Sequence, residues 1–218
     1  SGLLSNTIND IAINKEGQVF FATNKGLSIL SDNRFKNLSK ETGFHSNTIL
    51  SLCFDRNENL WMITDLGMIR IKKGQISNFA QESLHQSNIL YSITNDKNGN
   101  LVVGTEQGLI VIYLDKNSNI VRVKEYTRED GFLGMECNPN AVWTACNNEI
   151  YFGTKQGVTI FDPKADSLPN PMPNAYILRV QLLYKKSDWK NYTDSILPWS
   201  LLPHNPQFPY TERSEERR

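Results

Sequence analysis

The sequence lacks the spacings on which most site chemistry depends. Its three cysteines, Cys53, Cys137 and Cys146, form no Cys-x-x-Cys pair, so a zinc or dithiol centre has no ligand pattern to stand on. Cys53 lies in the apolar stretch Ile49-Leu50-Ser51-Leu52-Cys53-Phe54 and reads as a small buried thiol. A Cys137–Cys146 disulfide is the lesser alternative to free thiols. There is no Gly-rich phosphate loop, no His-Glu-x-x-His, no Gly-x-Ser-x-Gly and no Asp-x-Asp-x-Asp-Gly calcium loop. The three histidines, His45, His85 and His204, are not at metal-ligand spacing. The expectation is therefore no catalytic residue, no metal and no cofactor.

Charge of one sign is also missing. Twenty-three basic residues balance 23 acidic ones, which removes the basic footprint of a nucleic-acid binder. No apolar run approaches the ~20 residues that span a bilayer. Membrane attachment is thus expected only through a segment of a parent protein. Neither a signal peptide nor an initiator Met precedes Ser1-Gly2-Leu3, and the chain reads as a piece of a longer protein.

What is present is a repeat. Ser5-Asn6-Thr7-Ile8 returns as Ser46-Asn47-Thr48-Ile49 and Ser87-Asn88-Ile89-Leu90, a step of 41 residues each time (46 − 5 and 87 − 46). Thr23-Asn24-Lys25-Gly26 returns as Thr64-Asp65-Leu66-Gly67, Thr105-Glu106-Gln107-Gly108 and Thr154-Lys155-Gln156-Gly157. The last copy arrives 49 residues after the third (157 − 108), eight more than the period. Six of the extra residues fall in the segment holding the polar cluster Asp115–Asn119, where a hairpin can lengthen without disturbing a core. The other two fall between Gly131 and Gly157.

Each unit reads as four short strands joined by Gly, Asn and Asp turns. That is the size of one β-propeller blade. The absence of 3.6-residue periodicity excludes a helical solenoid. Asp10, Asp55 and Asp96 stand at turns or strand ends, where capping a turn explains them better than catalysis. Trp61 reads as blade core rather than a sugar-stacking platform.

Glycine and proline mark a boundary. All 13 glycines lie at or before Gly157, and eight of nine prolines lie at or after Pro163. The predicted division is four blades over 1–163, a Pro-rich linker over 164–174, and a partial β domain with a charged tail over 175–218. Within the last part, Tyr176–Tyr184 reads as a strand.

The unit Leu-x-Ser-Asn-x-Ile, turn, apolar run, Thr-x-x-Gly-Leu resembles the two-component regulator propeller repeat, clearest at Asn59-Leu60-Trp61-Met62-Ile63-Thr64. Asp130-Gly131-Phe132, Glu136-Cys137-Asn138, Ile150-Tyr151-Phe152-Gly153 and Phe161-Asp162-Pro163 look like that family's last blade. The family usually has Phe where this chain has Cys137, which supports burial of that thiol. The resemblance implies the periplasmic sensor region of a bacterial, Bacteroidetes-type, sensor histidine kinase or hybrid system. Such rings are typically seven-bladed, and an immunoglobulin-like triple-tyrosine domain follows; residues 175–218 resemble its opening strands. An open set of four blades leaves edges exposed, so three outcomes stay open: part of a larger ring, closure as four, or cooperation of two chains.

The expected function is non-catalytic ligand sensing, with an oligosaccharide or other small molecule as ligand and self-association in signalling. The alternatives are a protein-binding or dimerisation scaffold, and a propeller lyase or glycosidase. Ser and Asn of the repeated Ser-Asn-Thr-Ile segment are expected to bond local backbone. Binding specificity is expected where residues vary on the fixed scaffold. Leu4 becomes His45 and then Gln86, and Asn9 becomes Leu50 and then Tyr91. The candidate ligand-binding residues are His45, Asn47, Gln86, Asn88 and Tyr91.

Overall fold

A computed structural model describes residues 2–80, 89–132, 134 and 136–165, together with the backbone of residues 181–182 and 185–186. It is all-β: four antiparallel sheets arranged as propeller blades, each running from inner to outer strand in chain order. Blade 1 comprises β1 (Ile8–Ile13), β2 (Val19–Thr23), β3 (Gly26–Ser31) and β4 (Arg34–Leu38). Blade 2 comprises β5 (Ile49–Phe54), β6 (Leu60–Thr64), β7 (Gly67–Lys72) and β8 (Gln75–Ala80). Blade 3 comprises β9 (Leu90–Asn95), β10 (Leu101–Thr105), β11 (Gly108–Leu114) and β12 (Ile120–Tyr126). Blade 4 has three strands among the described residues: β13 (Cys137–Thr144), β14 (Ile150–Thr154) and β15 (Gly157–Phe161). The chain divides into two compact units between Leu168 and Pro169. In the second, a short hairpin pairs β16 (Gln181–Leu182) with β17 (Lys185–Lys186). The remainder of the predicted strand over 176–184 lies outside the described residues.

The core is three slabs, one between each pair of successive blades. Phe20, Ala22 and Leu27 of blade 1 pack on Leu52, Leu60, Met62 and Ile69 of blade 2. Trp61, Ile63 and Met68 pack on Ile93, Leu101, Val103 and Ile110 of blade 3. Val102, Leu109 and Val111 pack on Cys137, Ile150 and Phe152 of blade 4. The run of buried residues along β6 and β10 follows, because a middle strand is covered on both faces. Trp61 is fully buried, as a core residue should be.

The Thr-x-x-Gly landmark is a tight β2–β3-type turn with its own lock. The Thr23 hydroxyl donates to Gly26 O at 2.7 Å and accepts from Lys25 N at 3.1 Å. Thr64, Thr105 and Thr154 repeat both bonds. The glycine takes φ of +127°, +126°, +136° and +134° in the four blades, a region L side chains avoid. At Gly108 a Cβ would also press on the carbonyl oxygen of Tyr126, whereas at Gly157 it would meet nothing.

The turns joining first and second strands are capped by a repeated side chain. Asp55 Oδ1 accepts from Asn57 N (2.9 Å) and Asn59 N (3.0 Å), and Asp96 Oδ1 accepts from Asn100 N (2.8 Å). Asn14 does the same in blade 1. Asp10 departs from the expected turn-capping role. It sits within β1, and its Oδ2 accepts from the Ser51 hydroxyl (3.0 Å) and Leu52 N (2.7 Å), tying blade 1 to blade 2. Ser51 Oγ in turn accepts from Ile93 N of blade 3 (3.2 Å).

The six-residue insertion lies in the β11–β12 hairpin, as its polar composition predicts. Five residues, 115–119, join two seven-residue strands, where blades 1 and 2 use a two-residue turn. The loop does more than project into solvent: it crosses onto blade 2. Ser118 is buried, and its Oγ accepts from Asn57 Nδ2 and Asn59 Nδ2, both at 2.9 Å. Arg70 donates to Ser118 O at 2.6 Å while its guanidinium lies 5.3 Å from the Trp61 ring centroid. Below this latch, Asp55 Oδ2 accepts from Trp61 Nε1 (3.0 Å) and Asn59 Nδ2 (2.9 Å). Burial pushes the Asp55 carboxyl up, but the hydrogen bonds from Asn59, Ser118 and Trp61 together outweigh it and hold it below the usual carboxylate range.

Asp55→Ala strands the Trp61 and Asn59 donors and lowers stability by about 2–3 kcal/mol. The Asp55 contribution is present above the ordinary carboxylate pKa and is lost as pH falls below it through the lowered folded value. Urea unfolding of both proteins from neutral pH into acid should show the difference shrinking with acid. Gly108→Ala should lower the urea midpoint by the equivalent of about 1–3 kcal/mol, and more than Gly157→Ala, where only the dihedral opposes a side chain.

Candidate functional site

The loops that precede the inner strands and the Thr-x-x-Gly turns lie at the same end of each blade, because strands alternate in direction. His45 and Asn47 lie in the loop before β5. The His45 Nε2 is 2.9 Å from Thr64 Oγ1, and His45 N donates to Asn78 Oδ1 at 3.2 Å. The Thr64 hydroxyl proton is committed to Gly67 O, so His45 donates from Nε2. Burial, helped by Lys40, holds the imidazole below its usual pKa against the pull of Asp65, which keeps it neutral near pH 7. Asn47 Oδ1 accepts from Lys40 N at 2.8 Å, so this amide oxygen fixes a local turn. Ser5 Oγ and Ser46 Oγ accept from Thr7 N and Thr48 N, the backbone role expected of the repeated serines. Gln86 and Asn88 lie outside the described residues.

Tyr91 has a more telling position. In each of the first three blades the inner strand carries one extra residue against its neighbour: Asn9 in β1, Leu50 in β5 and Tyr91 in β9. These are β-bulges, and a bulge re-aims its side chain out of the pleat. The variable series Asn9, Leu50, Tyr91 is therefore a series of bulge residues at equivalent places on successive inner strands. Tyr91 is half-buried. Its phenol is raised above the usual value, first by burial and then by the charges of Glu136 and Glu106, with Lys155 opposing. Lys155 Nζ bridges to Glu136 Oε1 at 2.6 Å. Tyr91, Glu106, Glu136 and Lys155 thus form a polar group where blades 3 and 4 meet, one blade away from His45.

Blade 4 enlarges the bulge. Cys137 pairs with Thr154 and Val142 with Phe152, and Ala141 lies against Gly153, which leaves 138–140 as the excess. That is three residues where other blades have one, and it accounts for the two insertions between Gly131 and Gly157. Asn140 has φ +54°, and its Nδ2 donates to Asn9 O of blade 1 and, at 3.0 Å, to Leu50 O of blade 2. Its Oδ1 is buried with no partner among the described residues. Asn140 was not among the expected site residues. Only the two-residue excess pointed toward it, and a length difference does not say which side chain reaches across.

Cys137 is buried, its thiol donates to Gly108 O at 3.4 Å, and burial pushes its pKa up to about 11. Cys146 is exposed and all three cysteines are free, so the disulfide alternative is set aside. Among the described residues no three His, Cys, Asp or Glu side chains are grouped to hold a metal ion.

No family model matches the chain, and no curated protein matches it. Solved structures do. The extracellular domain of the putative hybrid two-component system BT3049 from B. thetaiotaomicron aligns over 76% of this chain with 23% identity and a TM-score of 0.66. The extracellular domain of BT4673 from the same organism aligns over 73% with 24% identity and a TM-score of 0.58. A catalytically inactive virginiamycin B lyase from Staphylococcus aureus aligns over 77% with 17% identity and a TM-score of 0.55. At these identities the likeness is one of fold. The chain spans 23% of the BT3049 domain and 22% of the BT4673 domain.

Asn140→Ala should destabilise the unit by about 1–2 kcal/mol through loss of the two cross-blade bonds. Asn140→Asp should destabilise it more, because a carboxylate then faces the Asn9 and Leu50 carbonyl oxygens. Thermal denaturation near pH 7 checks the order; equal midpoints for both variants and the parent would deny Asn140 its tie.

Proposed function

We propose that this chain is a non-catalytic, ligand-sensing module of the extracytoplasmic, periplasmic region of a bacterial two-component sensor. Its ligand is an oligosaccharide or another small polar molecule. The observation that carries the reading is the bulge series Asn9, Leu50, Tyr91 and 138–140. The scaffold repeats, but the residues at this one place on the inner strands do not. Variation on fixed geometry suits recognition, and an aromatic ring beside amides and carboxylates suits sugar hydroxyls and their apolar faces. The fold shared with the two B. thetaiotaomicron extracellular domains supports the same reading. The membrane anchor and output domain belong to the parent protein, and the proline-rich segment after Pro163 would carry the signal toward them. Residues 175–218 are assigned to the start of an immunoglobulin-like domain of the triple-tyrosine type.

The scaffold and lyase alternatives divide cleanly in one experiment. The chain is titrated with a panel of short neutral and uronic-acid oligosaccharides, followed by thermal shift and product analysis. Sensing predicts that one class raises the melting temperature without being consumed, and that Tyr91→Ala weakens binding about tenfold, roughly 1.4 kcal/mol. A panel with no effect would defeat direct ligand sensing and leave the scaffold. Consumption of the sugar with formation of an unsaturated or hydrolysed product would make the chain an enzyme.

A further inference from the structure

The first turn of blade 3 borders a cleft whose counterpart in blade 2 already shows what its side chains can hold. A step of 41 residues carries Asp55, Asn57 and Asn59 into Asp96, Asn98 and Asn100. In blade 2 the two asparagines grip the 115–119 loop. Asn57 Nδ2 donates to Lys116 O at 3.0 Å and to Ser118 Oγ at 2.9 Å, and Asn59 Nδ2 donates to the same hydroxyl. This turn is thus built to hold hydroxyl and carbonyl oxygens. In blade 3 the corresponding turn lines a cleft of about 350 Å³, bordered as well by Tyr113 and Arg122 and by Phe161 and Pro163 beside blade 4. That volume lies at the lower end of the ~300–1,000 Å³ of small-molecule sites.

The polar groups of the cleft are unevenly engaged. Asp96 is buried, and both of its oxygens accept from Asn100, one from N at 2.8 Å and the other from Nδ2 at 2.9 Å. The Arg122 guanidinium lies 5.0 Å from the Tyr113 ring centroid. It makes no hydrogen bond or ion pair among the described residues, and neither does the Asn98 side-chain amide. Both side chains are exposed. A guanidinium held over an aromatic ring with its N–H groups unengaged suits a carboxylate, which it can take with two parallel bonds. Asp96 keeps lone pairs beyond those Asn100 uses and can accept from a hydroxyl. Phe161 supplies an apolar wall.

We propose that this cleft is a second small-molecule site and that its ligand is a hydroxylated carboxylate the size of one uronic acid. Arg122 takes the carboxylate, Asn98 and Asp96 take hydroxyls, and Phe161 covers the apolar face of the ring. A neutral sugar leaves Arg122 unused, and a plain carboxylate leaves Asn98 and Asp96 unused. Strands alternate in direction, so the β9–β10 turn lies at the end of the blade opposite the Thr-x-x-Gly turns and the Tyr91 group. The site is therefore separate from the sensing proposal and does not rest on it.

The probes are galacturonate and glucuronate, with their methyl esters as uncharged controls, titrated into the 218-residue chain and followed by calorimetry. The expected result is saturable binding of one acid, at least ~10-fold weaker binding of its ester, and weakening as salt rises. Arg122→Gln should weaken the acid at least ~10-fold and Asn98→Ala ~3-fold, whereas Tyr91→Ala leaves its affinity unchanged. Both substituted side chains are exposed, so unchanged circular dichroism and melting confirm that folding is intact. No binding of either acid would overturn the proposal. So would equal binding of acid and ester, or indifference to Arg122→Gln. Loss of binding in Tyr91→Ala would place the sugar acid at the Tyr91 group, which defeats the second site and leaves the sensing reading standing.

Discussion

Everything in the first unit depends on one requirement: each blade is a sheet with two apolar faces, and neither is satisfied until another blade lies on it. The middle strands show the pressure most plainly. β6 and β10 are buried along their whole length because both faces are covered. β2 and β14 are covered on one side and read as alternating or partial burial. Polar bonds then set the register of the slabs. Asp10 and Ser51 accept backbone amides of the next blade's inner strand, a directional bond that apolar packing cannot provide.

Much of this was legible in the sequence, for a physical reason. A 41-residue period is a geometric statement, and Gly at the fourth place of Thr-x-x-Gly reports a positive φ that few other residues take. The burial of Trp61 and the position of the long hairpin followed from the same pattern, while the burial of Cys137 followed from the resemblance to a family with Phe at that place. What did not follow was contact between distant segments. Asp10 looked like a turn residue because turns favour Asp, but its carboxylate spans two blades. The 115–119 loop looked like a solvated lengthening because it is polar, but its Ser118 accepts from Asn57, Asn59 and Arg70. In both cases composition gave the bonding capacity, and only the fold gave the partner.

The candidate site divides the same way. The variable positions could be read by aligning the copies, and Tyr91 proved to be a bulge residue between charged neighbours. Alignment could not separate Tyr91 from Asn47, whose amide oxygen is engaged by Lys40 N. Nor could it find Asn140, which has no counterpart in the other blades because it exists only through the enlarged bulge. A residue that breaks the period is invisible to an argument from the period.

The latch from the third blade also bears on the order in which the chain can be completed. Asp55, Asn57 and Asn59 leave the ribosome about sixty residues ahead of Ser118, the group that closes over them. At ordinary synthesis rates of roughly 5–20 residues per second, that is several seconds during which blade 2 holds its carboxylate and amides open to water. Its β5–β6 turn cannot reach final form alone. Blade 2 therefore matures only after blade 3, and the nascent protein acquires its stability in overlapping pairs rather than blade by blade.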